Sequence, residues 1–243
     1  MTEPPSPAPA LSTSRPTSPR DRLIVALDFQ DAPSAFALVD LLGDRVHWYK
    51  VGMELYYASG NSLISELRAR DKQVFLDLKL HDIPSTMSHA LRSLAKQCVA
   101  LTTVHIPAGE EALRAVAAAA ASLREEERPR ILGVTRLTSL PAPDPAKPWD
   151  DVVRLGRLGI NCGIDGWIAP AGGAKHLRAA CGDAPLLVCP GIRLPENDRA
   201  DQVQVGLPED AVRDGADWVV VGRPITQASD PRAAVAAIVS RFV

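Results

Sequence analysis

The segment Asp77-Leu78-Lys79-Leu80-His81-Asp82-Ile83-Pro84-Ser85-Thr86 sets two carboxylates and an ammonium within one short stretch. Val74, Leu76 and Leu78 alternate with Phe75, Asp77 and Lys79, a period of two that predicts a strand. On a strand, Asp77 and Lys79 point the same way, about 7 Å apart along the axis. A lysine among carboxylates is expected to stay an ammonium, because opposite charges favour its charged form. That suits proton donation rather than attack as a free amine. Taken alone, the pair also fits a structural salt bridge, since charges persist in protein interiors when they are paired. Asp28 and Lys50, each in another apolar strand-like run, shift the weight toward function: clustered charges of this kind are costly to desolvate and contribute little stability.

The surrounding pattern says what must hold these groups. Strand-like runs fall near residues 23–28, 46–51, 73–79, 101–105, 130–135, 164–168, 185–189 and 217–221. Helix-length segments alternate with them near 33–43, 54–70, 85–97, 109–127, 149–159, 172–181, 208–214 and 230–242. Eight such βα units predict a TIM (β/α)8 barrel. A doubly wound sheet would usually carry a Gly-rich turn after its first strand, whereas LIVALD runs into Phe-Gln-Asp. Pro84 suits the first turn of a helix, which makes Leu80 to Ile83 a strand-to-helix loop. Catalytic groups of this fold lie at the C-terminal strand ends, and Asp28, Lys50, Asp77, Lys79 and His105 all fall there.

The eighth strand runs into Gly222-Arg223-Pro224, where this barrel commonly binds phosphate. Gly222 would let backbone amides approach an anion and Arg223 could clamp it in two places, although Gly-Arg also fits a plain turn. Pro190-Gly191-Ile192-Arg193 opens the long loop after strand seven and could supply a second arm that closes over the same anion. His105 could touch a ligand or pack as a hydrogen-bonded histidine, and His81 beside Asp82 suits a supporting role. Trp48 reads as barrel filling, and the alanine run 115–121 only as a helix former.

With 243 residues, 46% of them hydrophobic, one barrel would use nearly the whole chain. Residues 1–20 are rich in Pro, Ser and Thr and read as a disordered tail, which leaves 21–243 as a single catalytic domain. Lys and Arg number 27 against 29 Asp and Glu, so the charge balance gives no footprint for nucleic acid. Cys98, Cys162, Cys181 and Cys189 lack paired spacing, which argues against a zinc site or a disulfide framework. No apolar run reaches the roughly 18 residues of a membrane span and no secretory signal opens the chain, so the expectation is a cytoplasmic protein acting on a small molecule.

Asp28, WYKVG at 48–52, DLKLHDIPST at 77–86, VTRLTS at 134–139, PGIR at 190–193, Asp201-Gln202 and VVGRPIT at 220–226 together resemble the orotidine 5'-phosphate decarboxylase family. The resemblance spans about residues 21–243. It implies a homodimeric TIM barrel that needs neither cofactor nor metal and converts orotidine 5'-phosphate to UMP and carbon dioxide in pyrimidine synthesis. By matching position it implies Lys79 as the acid that protonates C6, Asp77 as the carboxylate set against the substrate carboxylate, and Lys50 as the ammonium that orders them. Asp82, Ile83 and Thr86 would serve the neighbouring subunit. Asp28 would bind a ribose hydroxyl and Thr138 the pyrimidine. Arg193, Gln202, Gly222 and Arg223 would hold the phosphate, and Pro190 would also contact the substrate. The chain departs from the family at His105-Ile106-Pro107-Ala108-Gly109, where many members carry an HAxGG-type turn. Three rivals stay open: a magnesium-dependent sugar-phosphate lyase or decarboxylase sharing the DxKxxD spacing, a Schiff-base aldolase, and a phosphate-ligand binder without turnover.

Overall fold

Successive side chains along the strands alternate between two separate buried clusters. Leu23, Val25, Leu27, Tyr49, Val51, Val74 and Leu76 pack outward against helices, while Ile24, Ala26, Trp48, Phe75, Leu132, Val134, Val188 and Val220 pack among themselves. That division makes a filled barrel wrapped by helices. In the computed structural model, which describes residues 15–137, 139–192 and 206–242, the parallel strands close in the order β1 to β8. They are β1 Leu23–Leu27, β2 Trp48–Gly52, β3 Gln73–Leu80, β4 Leu101–His105, β5 Arg130–Val134, β6 Gly166–Ile168, β7 Leu186–Cys189 and β8 Trp218–Val221. The expected TIM barrel is the fold observed. Trp48 does fill it, meeting Trp218 edge to face with ring centroids 5.4 Å apart.

Several elements differ from expectation. The helix expected over 54–70 is two, Met53–Ser59 and Asn61–Ala69, divided at Gly60, whose φ of 65° a helix cannot continue through. Pro84 does open the helix Pro84–Ala95, with Ile83 as its cap. The stretch 109–127 is α-helical over Glu110–Ala121, with a separate 3-10 turn at Glu125–Glu127, and a short turn of helix at Arg223–Thr226 follows β8 where none was expected. β3 runs through Leu80, but its register breaks between Leu76 and Leu80, and Lys79 sits at φ 51° in the left-handed region. Strict alternation therefore fails at the strand end where the charges lie.

Charges on the opposite, N-terminal face are structural. Asp165 accepts the Ile131 amide and pairs with Arg128 and Arg130, and Asp217 accepts the Leu187 amide and pairs with Arg178 and Arg15. Among the described residues no helix is long and apolar enough to cross a membrane.

Candidate active site

Continuing the inward-facing row of each strand past its last barrel-filling side chain gives the groups at the mouth. Asp28 follows Ile24 and Ala26, Lys50 follows Trp48, Asp77 follows Phe75, and Gly222 follows Trp218 and Val220. They border a cleft of about 240 Å³ together with Lys79, Pro190 and Arg223.

The charges form one chain. Lys50 Nζ lies 3.0 Å from Asp28 Oδ1 and 4.0 Å from Asp77 Oδ2, and Lys79 Nζ lies 2.7 Å from the same Asp77 oxygen. Exposure falls inward: the Asp28 side chain is 59% exposed, Lys50 14% and Asp77 10%, while Lys79 at 27% reaches the cleft. Asp77 is thus the buried hub, and its other oxygen accepts a 2.9 Å hydrogen bond from the Thr103 hydroxyl. That hydroxyl in turn accepts the Lys79 backbone N–H at 2.9 Å. One threonine on β4 therefore fixes both the carboxylate and the left-handed backbone that aims the ammonium. Gly52 and Gly222 leave room for Asp28: a Cβ at Gly222 would stand 3.3 Å from Asp28 Oδ2, and one at Gly52 would stand 3.3 Å from Lys50 Nζ.

Asp82, Ile83 and Thr86 do not line this cleft in their own chain. All three are exposed, Ile83 by 63%, and Asp82 Oδ1 accepts the Ile83 amide at 2.7 Å. Thr138, Arg193 and Gln202 lie outside the described residues. Among the described residues no group of three or more His, Cys, Asp or Glu side chains is placed to hold a metal ion.

The sequence profile described as "Orotidine 5'-phosphate decarboxylase / HUMPS family" matches residues 21–238. The chain belongs to that family. A protein of Chromobacterium violaceum named orotidine 5'-phosphate decarboxylase is 41% identical over 96% of this chain and 95% of its own length. One of the same name from Rhodopseudomonas palustris is 42% identical over 94% and 97%. The crystal structure of orotidine 5'-phosphate decarboxylase from Lactobacillus acidophilus superposes with a TM-score of 0.79 at 34% identity, covering 94% of this chain and 99% of that one. The resemblance of the DLKLHDIPST and VVGRPIT segments to orotidine 5'-phosphate decarboxylases, carboxy-lyases, is therefore one of family.

Two residues of this orotidine 5'-phosphate decarboxylase family member went unnoticed in the sequence although their signal was present. Thr103 lies two beyond the inward Leu101, and Arg136, which lines the cleft, lies two beyond the inward Val134. His105 stands beside His81 with ring centroids 5.1 Å apart. Burial first, then the neighbouring His81 and Lys79, hold the His105 imidazole below the ordinary histidine range, so it is neutral at pH 7. The HIPAG departure is taken up away from the charges. Ile106 is fully buried, and its side chain occupies the space a Cβ would need at Gly133, 2.6 Å away, and at Gly159, 3.0 Å away.

Proposed function

We propose that this protein decarboxylates orotidine 5'-phosphate to UMP and carbon dioxide, as its relatives' names state for them. The observation that carries the reading is the Asp28–Lys50–Asp77–Lys79 chain at the mouth of the barrel, with a solvent-reaching ammonium at its inner end. When the C6–carboxylate bond breaks, its electron pair stays on C6 and carbon dioxide leaves. Lys79 Nζ gives C6 a proton, and the resulting amine takes another from solvent. The site contributes a fixed positive charge where negative charge develops, the largest kind of term available without an electron-sink cofactor. Asp77, which contacts Thr103, Lys50 and Lys79, would face the substrate carboxylate, and Lys50 lies between Asp28 and Asp77. Asp28 would hold a ribose hydroxyl. Pro190, Gly222 and Arg223, with Arg193 and Gln202, would hold the phosphate, and Thr138 the pyrimidine. The reading includes no metal and no cofactor, and a place in pyrimidine nucleotide synthesis in the cytoplasm.

The test is the ultraviolet change of orotidine 5'-phosphate on adding purified protein, with and without excess chelator. Release of UMP at equal rates in both is expected. Loss of activity with chelator would favour the magnesium-dependent lyase chemistry, and UMP binding without turnover would favour a binder.

The reading also includes a homodimer in which Asp82, Ile83 and Thr86 complete the neighbour's site. Their exposure, together with that of Met53 (47%) and Tyr57 (76%) on the helix that follows β2, supports it. Lys79→Ala and Asp82→Ala proteins, each nearly inactive, should regain about a quarter of wild-type activity when mixed and allowed to exchange subunits at random. Half the dimers would then be mixed, and each of those would hold one intact site. No regain, with exchange shown by mass spectrometry, would count against a shared site.

A further inference from the structure

The connection between β5 and the helix Asp150–Asn161 is long, residues 135–149, and long irregular connections in compact domains are usually functional. It is held at both ends and near its middle by one side chain. Arg136 donates from Nε and Nη2 to the Pro141 carbonyl at 3.1 and 2.5 Å, and its Nη1 lies 3.3 Å from Asp151 Oδ2 in the first turn of that helix. The planar guanidinium spans both acceptors at once, which a lysine ammonium on one flexible stem reproduces poorly. At the near end, Thr135 donates from its backbone N–H and its hydroxyl to the Ile168 carbonyl on β6. Leu137, the next residue of the connection after Arg136, lines the cleft and packs against the barrel-filling cluster that includes Phe75, Val134, Ile168 and Val220.

We propose that Arg136 is a positioning residue: by tying the β5 end to Pro141 and Asp151 it folds the connection back over the barrel mouth, so that Leu137 forms an apolar wall for the flat heterocycle of the ligand. The choice of a pyrimidine nucleotide as ligand rests on the function proposed above; the stapled loop does not. The guanidinium makes its polar contacts to the loop and the helix, so its charge is spent on shape. Leu137 would touch a part of the ligand that changes little in charge during reaction. Its placement therefore acts on ground state and transition state alike, which shows in KM and not in kcat.

The experiment measures kcat and KM for orotidine 5'-phosphate, the calorimetric Kd of UMP and the Tm of the full-length wild type and of five variants. These are Arg136→Ala, Arg136→Lys, Asp151→Ala, Leu137→Ala and the double variant Arg136→Ala/Asp151→Ala. Arg136→Ala, Arg136→Lys and Leu137→Ala should each raise KM and the UMP Kd by about tenfold with kcat within about threefold of wild type. Asp151→Ala should move both constants the same way, and the double variant should be no worse than Arg136→Ala beyond about twofold, because both changes break one staple. Wild-type constants in Arg136→Ala with a lowered Tm would overturn the proposal in favour of a purely structural role. So would raised constants in Arg136→Ala beside wild-type constants in Asp151→Ala, or full rescue by lysine, since either makes Arg136 a direct charge on the ligand. A wild type that binds UMP without turnover would sink the decarboxylase reading, and the UMP Kd series would still decide the role of Arg136.

Discussion

Lys79→Ala should lower kcat by at least about 10⁴-fold, since on the proposed mechanism it removes both the proton donor and the charge that meets the developing carbanion. The fold should survive. Asp77 would keep its Thr103 hydrogen bond and the Lys50 ammonium at 4.0 Å, and alanine tolerates the left-handed backbone of position 79 no worse than lysine does. UMP binding should accordingly stay within a few-fold of wild type. Lys79→Arg provides the sharper comparison, because it restores a positive charge that does not give up its proton. If Lys79→Arg recovered more than about a hundredth of wild-type kcat, charge alone would be enough and the proton-donor assignment would be wrong.

Arg223→Ala should cost about 10³-fold in kcat/KM for orotidine 5'-phosphate, although its proposed partner is the phosphate and not the reacting C6. The physical reason is that holding Asp28, Lys50, Asp77 and Lys79 around a second carboxylate is unfavourable, and binding of a remote dianion supplies the energy that offsets it. The position is built for close approach: Gly222 precedes Arg223, borders Asp28 and lines the same cleft. The discriminating control is orotidine without its phosphate. Wild type and Arg223→Ala should turn it over at equal, very low rates, because the interaction removed by the mutation is already missing from the substrate. An equal loss with both substrates would place Arg223 in folding and not in phosphate binding.

Most of the fold was legible because periodicity reports burial. The apolar residues at one parity of every strand belong to the barrel filling and those at the other parity to the helix layer, so strand number, direction and the catalytic end followed from the pattern. Asp28, Lys50 and Asp77 were legible for the same reason, as polar residues on the inward parity just past the filling. The spacing places Lys79 beside Asp77 at the cleft, where the structure has it, but does not give its conformation. Its left-handed φ of 51° depends on the Thr103 hydroxyl from another strand, a contact between residues far apart in sequence that no local pattern records. Thr103 and Arg136 obey the same parity rule and were passed over because a threonine in LTTVH reads as a strand former and an arginine in VTRLTS as a solvated one. The Gly60 break inside 54–70 was masked by helix formers on both sides of it. Asp82, Ile83 and Thr86 present a different limit, since a single chain leaves them facing solvent.

Ile106 has a consequence for how this sequence can vary. Its side chain takes the volume that side chains on β5 and on the helix Asp150–Asn161 would otherwise fill, leaving glycine at 133 and at 159. These three positions, separated in the chain, share one parcel of space. Shortening residue 106 to alanine would open room for a Cβ at 133 or 159, whereas with isoleucine in place a Cβ at 133 would stand 2.6 Å and one at 159 would stand 3.0 Å from a side chain that would have to shift to admit it. The HIPAG turn is thus packed as one set with Gly133 and Gly159, and grafting Ile106 into a core with side chains at those two positions would crowd the layer beneath the cleft without altering any group that lines it.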